Sequence, residues 1–414
     1  MKILMCNSFY YMRGGSERYM FELIRMLEGH GHEVIPFSMT HEKNIASQYS
    51  NYFVSFIDYP TLLKSRPGIP EVIKVLERLI ISREAKQKIK QLILDTKPDI
   101  VHIHAIGHEF SPSILKVVKS FNIPIVYTLH DYGLLCPNTN FISRGEICER
   151  CKGQRYYNIV LRRCKRDSLI ASLLACISQY LTVLTNSYAH NVDVYIAPSH
   201  FLKNKLREHG FKKKIVVIPN SIDLNEYKPH MPRSRDCLYA GRLVAMKGIR
   251  TLLEAAKLAS GVKILIAGDG ELGEEMRKTI AAQGLENVNV LGFVQPQELS
   301  RLMSSMAFTV FPSECYENYP LSIVESFACG KPVIASNIGA LPELVKENWN
   351  GLLFEPGNAQ QLADQLKYLS DHPQQALEMG NHGREQTLAV NDPEVHYQRV
   401  MAVYQELLEP SSPL

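Results

Sequence analysis

Two doubly wound α/β domains in tandem are the fold class this sequence predicts. Short apolar, β-branched runs alternate with longer helical patterns from the first residue, and the alternation restarts after a polar stretch near residue 230. At 414 residues the chain is also too long for one ordinary core, so two domains facing each other across a cleft are expected. Ligands of such a fold sit at the carboxyl ends of the strands, here facing the cleft.

In chain order, "KILMCN" reads as a strand and "SERYMFELIRMLEGHG" as the helix after it. "DIVHIHA", "PIVYTLH" and "VYIAPS" are further strands, "HFLKNKLREHG" is a helix, and "KIVVIPN" closes the first set. "DLNEYKPHMPRSRD" has two prolines and reads as the linker. The second set runs "CLYAGR", "GIRTLLEAAKLA", "VKILIAGDG", "ELGEEMRKTIAAQG", "VNVLGFV", "PQELSRLMSSM" and "FTVFPS". The expected organisation is residues 1–222 as a first Rossmann-like domain carrying a cysteine-rich insert at 136–164, 223–392 as a second, and 393–414 as a C-terminal helix open to return to the first. The terminal "PSSPL" reads as a frayed tail.

A formal net charge of +4 is small for this length and gives no reason to expect nucleic acid as a partner. The start "MKILMCNSFYYMRGG" lacks the apolar core of a signal peptide, and no stretch reads as an uninterrupted span of roughly 18 to 20 apolar residues. A cytoplasmic location is expected, and in that reducing compartment nine cysteines argue for metal or redox chemistry over disulfides.

The stretch "FPSECYENYPLSIVESFACGKPVIAS" carries the first site. Pro320 suits a helix's first turn, and the helix would end at Gly330. The free N–H groups of Leu321 and Ser322, with the positive end of the helix dipole, suit a phosphate. Glu325, one turn deeper, either accepts hydrogen bonds from the vicinal diol of a ribose or faces solvent. In "LYAGRLVAMKG", Arg242 and Lys247 follow a strand end and can neutralise a departing diphosphate. Gly14 and Gly15 precede Ser16, a candidate N-cap, and let backbone approach a ligand or simply form a turn. There is no Asp-x-Asp pair, so no catalytic metal is expected. His102 and His104 share one strand face, as cleft-lining groups or as core.

Together, "GG" near the start, "HD" at 130–131, "APS" at 197–199, "IPNSID" at 218–223, "GRLVAMKG", "IAGDGE", "VNVLGFV", Glu317 and Glu325, and "GKPVIAS" resemble the retaining, nucleotide-sugar-dependent glycosyltransferases of family 4, which have the GT-B fold. The resemblance implies that Arg242 and Lys247 bind diphosphate, Glu325 holds the ribose and the Leu321 N–H meets the phosphates. It places Glu317, with the amides of Asn318 and Tyr319, near the transferred sugar, His130 beside it in the active site, and backbone at Phe293 and Val294 near the base. Many members carry Gly-Phe where this chain has Asn318-Tyr319, so the sugar's hydroxyl pattern does not carry over. The implied activity is transfer of a sugar from a nucleoside diphosphate to a saccharide or lipid-linked acceptor in building a cell-surface polysaccharide or glycolipid. A sugar-nucleotide epimerase and a non-catalytic nucleotide-sugar-binding protein are the rival readings.

Behind His130, Cys136, Cys148, Cys151 and Cys164 supply four thiols in a loop without a long apolar run. A structural zinc, an iron–sulfur cluster or four free thiols all fit that spacing. "RRCKRDSLIASLLACISQYLTVL" joins cations to an apolar helical run: either a core helix after a solvated loop, or a peripheral contact with the inner face of a membrane.

Overall fold

The computed structural model describes residues 1–56, 81–231 and 234–409. The "PSSPL" tail, and residues 232–233 of the linker, lie outside the described residues. The first sheet has six parallel strands: β1 (Lys2–Cys6), β2 (Glu33–Phe37), β3 (Ile100–Ile103), β4 (Ile125–Thr128), β7 (Val194–Ala197) and β8 (Lys214–Val217), in the order β2-β1-β3-β4-β7-β8. Between β4 and β7 the insert forms a two-stranded hairpin, β5 (Ile142–Ser143) and β6 (Glu146–Ile147). The second sheet has β9 (Cys237–Ala240), β10 (Ile264–Ala267), β11 (Val288–Gly292), β12 (Phe308–Phe311), β13 (Val333–Ser336) and β14 (Gly351–Phe354), in the order β11-β10-β9-β12-β13-β14.

Both sheets are all parallel and covered on both faces, which is why their strands read as near-continuous apolar runs. In β1, Leu4 and Cys6 join one core cluster with Val101 and Ile103. Ile3 and Met5 join another, with Tyr19 and Leu23 of helix α1 (Gly15–Gly29). The strands β2 and β14 are absent from the sequence expectations. Each is a short edge strand, and β2 contains Pro36, which is tolerated at an edge because the outer side needs no N–H donor.

Two corrections concern helix starts. The helix α1 begins at Gly15 with Gly14 as its extended N-cap and no side-chain cap, so Ser16 lies inside it. Pro320 is likewise the N-cap of its helix, one position before the first turn. Leu169–Asn191 carries Ser, Gln, Thr, Asn and His among its apolar residues, so it is not an uninterrupted apolar run, although it passes for a membrane-crossing helix by length and composition alone. Its regular part, α2 (Leu169–Leu184), is followed by Asn186 in the left-handed conformation.

The last helix, here α4 (Pro393–Leu408), is capped by Asp392, whose carboxylate accepts from the N–H of Glu394 and Val395. It lies against the first sheet's outer layer: Tyr397, Val400 and Tyr404, one face at helical spacing, cluster with Ile3, Met5 and Tyr19. Tyr404, fully buried, also bonds His102 Nδ1 at 2.6 Å. Tyr404→Ala is expected to cost about 3–5 kcal/mol, the range for truncating a buried large aromatic. Urea unfolding of the full chain reads this; a loss under about 1 kcal/mol would mean that α4 is only draped on the first sheet.

Candidate active site

In the second sheet the strand order reverses between β9 and β12, and the crevice at such a switch point is where α/β sheets bind ligands. The loop after β9 carries Arg242 and Lys247, and the loop after β12 carries Glu317. Lys247 Nζ donates to Glu317 Oε1 at 2.5 Å, and Ser313 Oγ donates to the same oxygen at 2.6 Å. The Cys315 thiol lies 3.9 Å from it, pushed up to about 12 by burial and by Glu317, so it stays protonated. Arg242 is exposed, and its carbonyl accepts from Tyr239 Oη.

Close backbone packing holds the two loops. Gly248 has φ +68°, and a Cβ there would lie 1.7 Å from the carbonyl oxygen of Pro312. Gly339, at φ +61°, packs on the backbone of Glu317, whose carbonyl accepts from Ala340 N at 3.0 Å. Ser313 and Gly339 escaped the sequence reading, since a serine and a glycine of this kind carry no signal until the loops are seen together.

The helix α3 (Leu321–Ala328) starts without a side-chain cap, which leaves the first-turn N–H groups of Leu321 and Ser322 without intrahelical acceptors. Glu325 is buried at 6% exposure, which removes the solvent-facing alternative. Its partner comes from the other half of the chain: Arg18 Nη1 donates to Glu325 Oε1 at 2.5 Å, while Nη2 donates to Tyr227 Oη at 2.9 Å. Burial and the Glu325 carboxylate both act on Arg18, and the net effect keeps the guanidinium charged. Glu22 also pairs with Arg18, and burial pushes its carboxyl up to about 7. Arg18 sits in the first turn after Gly14 and Gly15; helical phase could have pointed it toward a ligand, but not toward Glu325.

Asn318 and Tyr319 diverge. Asn318 reaches the first half, donating to the Leu129 carbonyl at 3.3 Å and accepting from Ser199 Oγ at 3.4 Å. The Tyr319 hydroxyl accepts from Asn391 Nδ2 at 2.7 Å, so its side chain serves the crossing between the halves. Phe293 is 70% exposed on the rim of an open groove of ≈ 940 Å³ that Val294 and Arg301 also line.

His130 is enclosed by Tyr19, edge-on at 5.2 Å, and by His104, stacked at 5.3 Å. His104 Nδ1 and His130 Nε2 are 3.0 Å apart, and His104 Nε2 lies 2.8 Å from Met5 Sδ. His102 and His104 are therefore core groups behind His130 and do not line the cleft. Burial lowers His130 to about 4 and His102 to about 3, with His104 well below the ordinary value; all three rings are neutral at pH 7.

The four cysteines of the insert line one small pocket with Ser143 and Ile159. Among the described residues, however, no group of three or more His, Cys, Asp or Glu is arranged to hold a metal ion. The thiols have other occupations. Cys164 donates to Ser143 Oγ at 3.4 Å, Cys136 is buried under the first core, and burial with neighbouring thiols pushes Cys151 up to about 12. The arrangement of the described residues gives the expected zinc or iron–sulfur site no support. The insert is ordered by packing instead: Tyr156, Ile159, Ala175 and Cys176 form a satellite core, and Glu149 accepts from Lys205 Nζ and Tyr316 Oη, each at 2.8 Å.

Residues 13–226 match the sequence profile described as Glycosyltransferase Family 4, and residues 225–386 match Glycosyl transferases group 1. An uncharacterized glycosyltransferase of Methanocaldococcus jannaschii is 26% identical over 388 residues, 93% of each chain. The D-rhamnosyltransferase WbpZ of Pseudomonas aeruginosa is 30% identical over 211 residues, 48% of this chain and 55% of that protein. Among solved structures, Anabaena HepE in complex with UDP superposes with a TM-score of 0.67 at 20% identity, covering 98% of this chain and 100% of that one. The chain belongs to glycosyltransferase family 4 and has the GT-B fold.

The buried histidines make stability depend on pH with a definite sign. Their folded pKa values lie below the unfolded value of about 6.5, so the unfolded chain binds protons first as pH falls. The histidines' contribution should be full above pH ~6.5 and fall progressively to pH ~4, opposed in the same window by Glu22, which the folded chain protonates near pH 7 and the unfolded chain only below about 4.5. Melting curves of Glu22→Gln at fixed ionic strength test this with the opposing carboxyl removed; a flat midpoint from pH ~6.5 to ~5 in that variant would mean that the rings are solvated.

Proposed function

We propose that this family 4 enzyme is a retaining glycosyltransferase that takes a sugar from a nucleoside diphosphate and passes it to a saccharide or lipid-linked acceptor. We assign it to the building of a cell-surface polysaccharide or glycolipid, at the inner face of the membrane. The observation that carries the reading is the Lys247–Glu317 pair at the switch point, beside an uncapped helix start and a buried carboxylate one turn deeper. HepE, which shares the fold, was solved with UDP and also with UDP-glucose.

In this reading the diphosphate meets Arg242, Lys247 and the N–H groups of Leu321 and Ser322. Lys247 exchanges its Glu317 partner for phosphate, and Glu317 turns to the sugar hydroxyls. Glu325 offers its second oxygen to the ribose diol while Arg18 keeps the first. The neutral His130 contributes a hydrogen bond to the sugar without adding charge. The bond from the anomeric carbon to phosphate breaks, the acceptor oxygen bonds that carbon on the same face, and the acceptor's proton passes to the departing phosphate. A Glu317 carboxylate turned to the sugar hydroxyls, and still within reach of Ser313, holds the donor sugar and does not attack it, so we take this front-face route over double displacement. Binding geometry and charge stabilisation of the leaving group supply the rate.

Lys247→Ala and Arg242→Ala should each lower kcat by about 10²-fold or more with the circular dichroism spectrum unchanged. Turnover at the wild-type rate in either variant rejects the assignment. A thermal-shift panel of nucleoside diphosphates should single out one base, adding about 2.7 kcal/mol of stability at 100 times its Kd. In calorimetry, Glu325→Gln should weaken that nucleotide's binding more than it slows the chemical step, because a ribose contact is made in ground and transition states alike. Unchanged affinity would leave Glu325 only its pairing with Arg18.

A further inference from the structure

We propose that helix α2 and the basic segment before it form a docking surface for an anionic lipid bilayer, with the helix lying in the plane of the headgroups. The apolar side chains of α2 fall on two faces. Ala171, Ala175 and Cys176 pack inward, the last two with Tyr156 and Ile159. Ile170, Leu173, Ile177 and Leu184, spaced as one outward stripe, are 66, 47, 41 and 79% exposed, and Leu161 on the preceding turn is 69% exposed. A core helix would bury that stripe. From Leu169 to Asn191 the chain has no Asp, Glu, Lys or Arg, so the outward face lacks the charges that normally keep a surface helix in water.

The occupant is chosen by charge. Residues 150–168 hold seven Lys and Arg against one acidic residue, Asp167, and Arg163 and Arg166 are exposed immediately before the helix. A protein partner would have to match both a dense positive cluster and a featureless apolar stripe; an anionic bilayer presents phosphates beside acyl chains by construction. The helix lies on the bilayer and does not span it. Sixteen residues reach about 24 Å, short of the ~30 Å hydrocarbon core. Its inner face is committed to the domain, and Asn186 breaks the helix.

The surface belongs to the half that holds His130. Gln179 of α2 donates to the carbonyl of Leu134, four residues beyond that histidine, at 3.2 Å. Docking would thus hold the first half of the cleft at the bilayer, where a lipid-linked acceptor resides; this use of the surface rests on the transfer reading above, while the lipid contact does not.

Co-sedimentation of the full chain with vesicles tests the contact with no donor or acceptor present. Vesicles of phosphatidylcholine with phosphatidylglycerol should bind the protein at least about tenfold more tightly than pure phosphatidylcholine. The triple variant I170S/L173S/I177S should lose about tenfold in partition, and so should Arg163→Glu with Arg166→Glu, which leaves the apolar stripe intact should the first variant fold poorly. Equal partition of wild type and both variants overturns the proposal. So does a chain that ignores vesicles and is a dimer in sedimentation velocity that the triple variant breaks, since the stripe is then covered by a second copy. Failure of the transfer reading would show separately, in donor affinity and turnover measured in solution.

Discussion

A carboxylate buried at 6% exposure needs a partner, and the site depends on how Glu325 gets one. An unpaired charge at that depth would cost several kcal/mol, and nothing on its own helix can meet it. Arg18 meets it from the first half of the chain, with Tyr227 of the linker bonded to the same guanidinium. The consequence is that the second half's most enclosed acidic group is satisfied only when the two halves face each other. Other crossings are weaker versions of the same arrangement. Glu343 accepts from the free N–H groups of His200 and Phe201 at a helix start in the first half, and Asn318 reaches the backbone beside His130.

The two sides of the cleft differ in their electrostatics. One side carries mobile charge in Lys247, Arg242 and an uncapped helix start, all suited to an anion that arrives and leaves. On the other side the surroundings of His130 are neutral: it stacks on His104, which contacts Met5, and burial holds the rings uncharged. In the proposed reading, a neutral imidazole beside the sugar orients hydroxyls without competing for the phosphate. The carboxylates Glu317 and Glu325 are paired with cations, so these charges are close to balance among themselves, and in the proposed reading a diphosphate enters by exchange of partners.

The cysteine-rich insert shows a different solution from the one its spacing suggested. Its hairpin and short helices surround a satellite core with α2, and Glu149 anchors it to Tyr316, the residue immediately before Glu317. The insert therefore touches the loop of Glu317, while the outward stripe of its helix α2 faces away from the domain. A segment added between β4 and β7 thus connects the protein's surface to its site through packing and one carboxylate.

Sequence alone determined the two-sheet plan, because parallel strands buried on both faces leave uninterrupted apolar runs that helical periodicity then separates. It also marked the loops of Arg242, Lys247 and Glu317, since each follows a strand end where an α/β sheet binds ligands. Helix starts were legible only to within a residue or two; Gly14 and Pro320 are N-caps because backbone geometry, not a side chain, set those ends. What tertiary structure decided are facts of pairing across long separations. Arg18 and Glu325 are 307 positions apart, and no local pattern joins them. Gly339 matters only once two loops touch, and the four thiols could be judged only when their neighbours were known. Local spacing fixes which way a side chain points; which partner it meets there depends on how distant segments pack.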